Sequence, residues 1–413
     1  MASPAKLAQF LEAVRESNLL KPADLLAFVV SATAPDVDAE AVARDLVARG
    51  LLTSFQARLL WKGKGTELFL NQYVLMDKLG EGGMGEVFRA RHTRMERIVA
   101  LKIMRRERMA NPEAVKRFRR EIKASASLAH ENVVMAYDAD QSGDVHFFAM
   151  EFVDGTTLDR LVRDKGPLPV SVASDYVRQT ALGLQHAHEK GLIHRDIKPG
   201  NLLLDSSGVV KISDLGLVLI DDPEDSVGRI TREGLTVGTP DFVSPEQARN
   251  PRGADIRADI YSLGCTFYFL LTGEVPFPGG TPTEKMLRHS RESVPEPERS
   301  DLSEELKAIL WKMTVRKPDQ RYQTPEDVAL ALEPFIIRKQ AAVSTMKMPA
   351  YVEEGVTEDA LPTIRRESDS RFTLPSNRSE PKTSKKGCLS VLLTVGSFSV
   401  VGIWMGIRWL ISI

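Results

Sequence analysis

An aspartate, a lysine two residues on and an asparagine five residues on carry the most specific chemistry in this 413-residue chain. They sit in His194-Arg195-Asp196-Ile197-Lys198-Pro199-Gly200-Asn201. Asp196 can accept the proton of a hydroxyl, and Asn201 can hold Mg2+. Lys198, between them, can neutralise charge on a group in transfer. These residue types at this spacing meet the geometric demand of phosphoryl transfer.

Phosphates need a cradle, and Leu79-Gly80-Glu81-Gly82-Gly83-Met84-Gly85-Glu86-Val87 offers one. Glycines let the backbone approach phosphate oxygens and donate N–H groups without a Cβ in the way. The loop alone also fits a glycine-rich hairpin or a dinucleotide-binding turn. A dinucleotide site needs a helix straight after its last glycine. Here Val87-Phe88-Arg89-Ala90 continues as a strand, which excludes it. Lys102 ends the strand-like run Ile98-Val99-Ala100-Leu101, 17 residues after Gly85. A predicted helix from Glu113 to Ala129 carries Glu121. Taken singly, Lys102 reads as a solvated strand end and Glu121 as a surface helical acid.

Asp214-Leu215-Gly216 follows 13 residues after Asn201, and Ser244-Pro245-Glu246 comes after it. Their common forms carry Phe and Ala where this chain has Leu215 and Ser244, and both changes are conservative. With all these motifs in order, residues 73–335 resemble a protein kinase domain of the eukaryotic-like type. The likeness is greatest to bacterial membrane-anchored serine/threonine kinases. Val237–Ala248, Asp259–Gly264, Pro276–Gly280 and Arg316–Tyr322 also resemble that family.

The resemblance implies an α+β, bilobal fold: a small antiparallel sheet lobe over a larger helical lobe, with ATP in the cleft. Lys102 would orient the α- and β-phosphates and be held by Glu121, while Asn201 and Asp214 would coordinate Mg2+. Val87, Ala100 and Leu203 would sandwich adenine, and the backbone of Glu151 and Val153 would hydrogen-bond it beside Met150. The loop from Leu79 to Gly85 would cover the phosphates. Arg321 would pair with Glu246, and Asp259 would brace the catalytic turn. Lys198 and Thr239 imply serine/threonine specificity. Arg195 before the catalytic aspartate implies control by activation-segment phosphate, with Thr231 and Thr236 as acceptors and Ser226 a weaker one. Phosphorylation in trans would need a transient homodimer.

The rest of the chain frames this domain. Residues 1–66 read as a small helical module without a chemical motif: Leu7, Phe10, Leu11 and Val14 share one face. Thr53 and Gln56 have capping-box spacing. Docking or regulation is the role that leaves open. Residues 337–387 are rich in Ser, Thr, Pro and charge, as a disordered linker is. Its Thr357, Thr363, Ser368, Ser370, Thr373 and Ser376 would be tethered targets of the same kinase. Residues 389–407 hold no charge, and as a helix would span roughly 28 Å, the thickness of a bilayer core. Lys382, Lys385 and Lys386 precede them. A single-pass anchor at the cell membrane with the kinase domain in the cytoplasm follows from the positive-inside rule.

The formal net charge of -1, from 55 basic and 56 acidic residues, excludes the basic excess of a nucleic-acid binder. Protein substrates and ATP are the expected partners. A pseudokinase scaffold would normally lose Lys102, Asp196 or Asp214, and all three are present. A small-molecule phosphotransferase would depart from the catalytic octapeptide and from the Ser-Pro-Glu pattern.

Overall fold

The structure, a computed structural model, describes residues 4–21, 39–215, 240–250 and 253–336. Amphipathic helices open it. α1 (Pro4–Ser17) buries Phe10 and Val14, and α2 (Ala39–Ala48) buries Val42 and Leu46. α3 (Ser54–Trp61) begins at the capping box expected from Thr53 and Gln56. The Gln56 N–H donates to Thr53 Oγ1 at 3.2 Å, and the Thr53 N–H donates to Gln56 Oε1 at 3.0 Å. Two of the donors left over at the start of a helix are thereby satisfied.

A six-stranded antiparallel sheet follows. Its strands are β1 (Phe69–Leu70), β2 (Tyr73–Gly82), β3 (Gly85–His92), β4 (Arg97–Met104), β5 (Ala136–Ser142) and β6 (Val145–Glu151), in spatial order β1-β2-β3-β4-β6-β5. β4 reads Arg-Ile-Val-Ala-Leu-Lys-Ile-Met, apolar at almost every position, as a strand covered on both faces must be. Its pleat separates two layers. Val99 and Leu101 join Phe88, Ala90, Phe147 and Ala149 in an outer core that also contains Phe10, Val14, Leu46 and Leu60. Ala100 turns the other way, into an inner core with Phe148, Met150, Phe118 and Ile122. The last two belong to α4 (Pro112–Ser125), which ends four residues before the predicted Ala129.

The larger lobe packs around two helices, α6 (Val170–Glu189) and α8 (Ile256–Thr272). α8 is buried on nearly every side because Ile260, Leu263, Phe267, Leu270 and their neighbours leave it no polar face. α5 (Leu158–Lys165), α7 (Pro245–Arg249), α9 (Pro282–Arg291), α10 (Glu304–Thr314) and α11 (Pro325–Leu332) surround this pair. A small sheet, β7 (Gly155–Thr157), β8 (Leu202–Asp205) and β9 (Val210–Ile212), crosses its top. Among the described residues no helix is long and apolar enough to cross a membrane. The expected span at 389–407 and the linker at 337–387 lie outside them.

One buried polar chain inside this lobe responds to pH. The His289 Nε2–H donates to the Asp241 carbonyl at 3.0 Å, so Nδ1 accepts from the Tyr261 hydroxyl at 2.9 Å. Burial pushes the His289 pKa down from 6.5 to about 4; the Asp241 carbonyl opposes this, and Arg288 and Lys285 add to it. Between these pH values the unfolded chain holds a proton there that the folded one does not. Stability is therefore full above pH 6.5 and declines as pH falls toward 4, by about 3 kcal/mol. Denaturant unfolding should show this acid slope, and His289→Gln should be less stable at pH 7 yet lose the extra slope.

Candidate active site

β2 and β3 meet at Gly82 and Gly85, which pair across the tip of the hairpin. A Cβ on Gly85 would lie 1.9 Å from the Ile103 carbonyl oxygen, so only glycine fits there. Gly80, Gly82 and Gly83 differ: a Cβ on any of them would meet nothing within 4 Å. Internal packing does not demand those three glycines, and their exposed backbone is left free to approach a ligand. Glu81, in the same loop, accepts from Lys78 at 2.8 Å and Arg105 at 3.1 Å.

Val87 pairs with Gly80 on one side and with Lys102 on the other. The sheet thus sets the glycine loop and the lysine two strands apart. Lys102 is 5% exposed, and its Nζ donates to Asp214 Oδ1 at 2.7 Å. The Lys102–Glu121 pair expected from the sequence is not formed. Glu121 is buried on α4, and its nearest charged partner is Arg120, at 3.4 Å. The left-handed backbone of Asp214 (φ 60°) brings its carboxylate to the lysine, and a buried ammonium pairs with the carboxylate that reaches it. Burial alone would raise the Asp214 pKa, but the Lys102 charge and hydrogen bond, with His194 and Lys198 beyond, hold it below the usual value. The carboxylate is therefore ionised at neutral pH.

Across from this pair lies the turn expected to be catalytic. Asp196 Oδ2 accepts from Lys198 Nζ at 2.7 Å and from Asn201 Nδ2 at 3.0 Å. Asn201 Nδ2 also donates to the Asp196 carbonyl at 2.8 Å. Both amide hydrogens of Asn201 are thus engaged, which leaves its Oδ1 as an oxygen donor. The Ser213 N–H and hydroxyl both reach the Asn201 carbonyl, at 2.9 and 3.0 Å. That tie places Asp214 next to the turn. Asn201 and Asp214 together offer few hard oxygen ligands, and no cluster of three His, Cys, Asp or Glu exists among the described residues. Such a pair fits Mg2+, which keeps several waters and takes one or two protein oxygens plus substrate phosphates.

The remaining expected residues fall as follows. Val87 and Met84 pack against the inner core that holds Ala100 and Met150. Leu203 alternates away from Leu202 and Leu204, which face the large-lobe core. The Glu151 N–H is taken by the Met135 carbonyl at 2.8 Å, and Val153 lies just beyond β6. Behind Met150 an apolar recess lined by Ile122, Val133, Phe148 and Ile212 runs to Asp214. Thr231, Thr236, Ser226 and Thr239 lie outside the described residues.

The fully buried Asp259 accepts the backbone N–H groups of His194 and Arg195 at 2.9 and 2.8 Å, the bracing expected of it. Three supports escaped the sequence reading. His188, in the last turn of α6, sits 3.0 Å from the same carboxylate. Gln247 Nε2 donates to the Arg195 carbonyl at 2.8 Å. The Ser125 hydroxyl, at the end of α4, donates to the Leu215 carbonyl at 3.0 Å. Each is a single residue of common type, and nothing in its spacing marks it.

Residues 73–331 match the family described as protein kinase domain. The chain belongs to the protein kinase family. Among known proteins it is 38% identical over 264 residues to the serine/threonine-protein kinase PknB of Mycobacterium leprae. The PknB of Mycolicibacterium smegmatis is 37% identical over the same length. Each match covers 62% of this chain and 42% of the relative, so the chain spans about two fifths of the length of the curated relatives it matches. The solved PknI kinase domain of Mycobacterium tuberculosis superposes with a TM-score of 0.52 at 25% identity. That match covers 65% of this chain and 96% of the other.

The kinase domain is also held by the expected Arg321–Glu246 pair, made by two parallel hydrogen bonds of 2.6 and 2.8 Å. Arg321 is buried and further donates to the Val315, Arg257 and Arg316 carbonyls. Glu246→Gln should cost about 3 kcal/mol because it strands a buried guanidinium. In denaturant unfolding, Arg321→Met combined with Glu246→Gln should lose less than the sum of the single changes.

Proposed function

We propose that this chain is an ATP- and Mg2+-dependent protein serine/threonine kinase. The observation that carries the reading is one hydrogen-bonded turn in which Asp196 is gripped by Lys198 and Asn201. Ser213 ties that turn to Asp214, and Asp214 in turn meets Lys102. Open space at Gly80, Gly82 and Gly83 supports a phosphate-covering role for Leu79–Gly85.

On this reading Asp196 aligns a Ser or Thr hydroxyl and takes its proton as the oxygen attacks the γ-phosphorus. The bond to the bridging oxygen breaks and ADP leaves. Lys198, already beside Asp196, stabilises charge on the group in flight. Lys102 turns from Asp214 toward the α- and β-phosphates, where Glu121 of α4 would hold it. Asn201 and Asp214 hold the metal, which when bound supplies neutralising charge to the phosphates. Val87, Ala100, Leu203 and the backbone of Glu151 and Val153 enclose adenine. Positioning and electrostatics provide most of the acceleration, because a loose transition state needs little covalent help.

We further infer a membrane-held signalling enzyme. The uncharged stretch 389–407 would be its anchor after the Ser-, Thr- and Pro-rich segment 337–387, with the catalytic domain in the cytoplasm. Thr231 and Thr236 would be its activating autophosphorylation sites, modified in trans through a transient homodimer. The charge-free run and the preceding lysines support the anchor; Arg195 before Asp196 supports the phosphate dependence.

The full chain, incubated with labelled ATP and Mg2+, should label itself and a generic protein acceptor on Ser and Thr. Lys102→Met and Asp214→Asn should each reduce labelling by at least about 100-fold. Wild type that binds ATP and transfers nothing would replace this reading with that of a scaffold.

A further inference from the structure

The outer face of the small-lobe sheet is not solvent-exposed, and what covers it is the N-terminal part of the chain. Phe10, Val14, Leu46, Leu52 and Leu60 share one continuous core with Tyr73, Leu75, Phe88, Leu101 and Phe147. Only residues 62–68, which include a short 3-10 turn that buries Leu68 in the same core, separate α3 from β1, and β1 pairs with β2.

The contact is concentrated where it bears on the cleft. β2 and β3 step out of register between Leu75 and Asp77, so Met76 has no partner in the ladder. The helix start fills that gap. The Thr53 hydroxyl donates to the Met76 carbonyl, and Gln56 Nε2 donates to the Leu75 carbonyl at 2.9 Å. Gln56 is buried and, through its other atom, closes the capping box of α3. Two side chains of one helix turn therefore fix the first of the two bulges on the way to the glycine loop; the second lies between Lys78 and Gly80.

A second contact reaches the same place through the sheet. Phe55 of α3 lies 5.7 Å from Phe88, ring centre to ring centre. Phe88 faces the outer core, so its neighbour Val87 faces the cleft, where it pairs with Gly80 and Lys102. α3 thus backs the strand that spaces the glycine loop from the lysine.

We propose that helices α1–α3 are a built-in part of the nucleotide-binding lobe, and that Thr53 and Gln56 are positioning residues for the glycine loop through the Leu75 and Met76 carbonyls. This rests on the kinase reading, in that the loop is taken to cover ATP phosphates. With the two donors gone, the bulge loses the bonds that set its angle, and the loop samples positions too far from the phosphates. Nucleotide affinity then falls, while the catalytic turn, anchored in the other lobe, is unchanged.

The test uses the full chain, with fluorescent mant-ATP and Mg2+ as the binding probe and phosphate transfer to a protein acceptor as the second readout. Thr53→Val with Gln56→Leu should raise the mant-ATP Kd and the KM for ATP about ten-fold, two lost hydrogen bonds' worth. kcat and the KM for the acceptor should stay within about two-fold, and Thr53→Ser should bind as wild type does. Equal mant-ATP affinity in the folded double variant and wild type overturns the proposal, whatever happens to the melting temperature. If the double variant does not fold, Thr53→Val alone should raise Kd about three-fold, and an unchanged Kd overturns it equally. Wild type that binds no nucleotide overturns both this inference and the kinase reading. Wild type that binds mant-ATP without transfer removes only the latter, and the Kd comparison still decides this one.

Discussion

A carboxylate with no exposure to water holds the candidate site together. Asp259, in the first turn of α8, accepts from two successive backbone amides, those of His194 and Arg195, and lies within bonding distance of His188. A buried carboxylate without such partners would leave its oxygens cut off from water with no hydrogen bond. Fully partnered, it forces the chain into a shape it would not otherwise choose. Arg195 is left-handed (φ 64°), a conformation that costs a non-glycine residue about 1–2 kcal/mol. That strain is held in place by the paired amides, and it turns Asp196 toward Lys198 and Asn201. Gln247, from α7, closes the turn by binding the Arg195 carbonyl.

The small lobe solves a complementary problem. Its sheet must carry a lysine and a loose glycine loop over a cleft while still burying enough apolar surface to stay rigid. Covering both faces does this. α4 packs the inner face beside the cleft and the N-terminal helices pack the outer one. Lys102 reaches down from this sheet to Asp214, whose own left-handed backbone and link through Ser213 belong to the catalytic turn. The Lys102–Asp214 ion pair thus joins the lysine of the sheet to the turn.

Much of this was legible in the sequence, for identifiable reasons. The octapeptide around Asp196, the glycine loop and Lys102 are each local patterns whose chemistry follows from spacing. β4 announced a strand, and the capping box at Thr53 announced a helix start. What was not legible depended on partners distant in the chain. Lys102 lies 112 residues from Asp214, and no local pattern says it meets that acid rather than Glu121. The amphipathic faces of Leu7, Phe10 and Val14 showed that something is buried, but not that it is the back of the small-lobe sheet. One clue was available: β4 is apolar on both faces, and a sheet with one open face would not need that.

The buried Asp259 carboxylate sets the geometry of the catalytic turn. The most direct measurement is single-turnover phosphate transfer by Asp259→Asn in the full chain, alongside its mant-ATP affinity. An amide retains one acceptor but leaves a buried amide N–H unpaired, so Asp196 should shift relative to Lys198 and Asn201. Transfer should be slowed by about 100-fold with nucleotide affinity unchanged. A folded variant that transfers phosphate within about two-fold of wild type would contradict it.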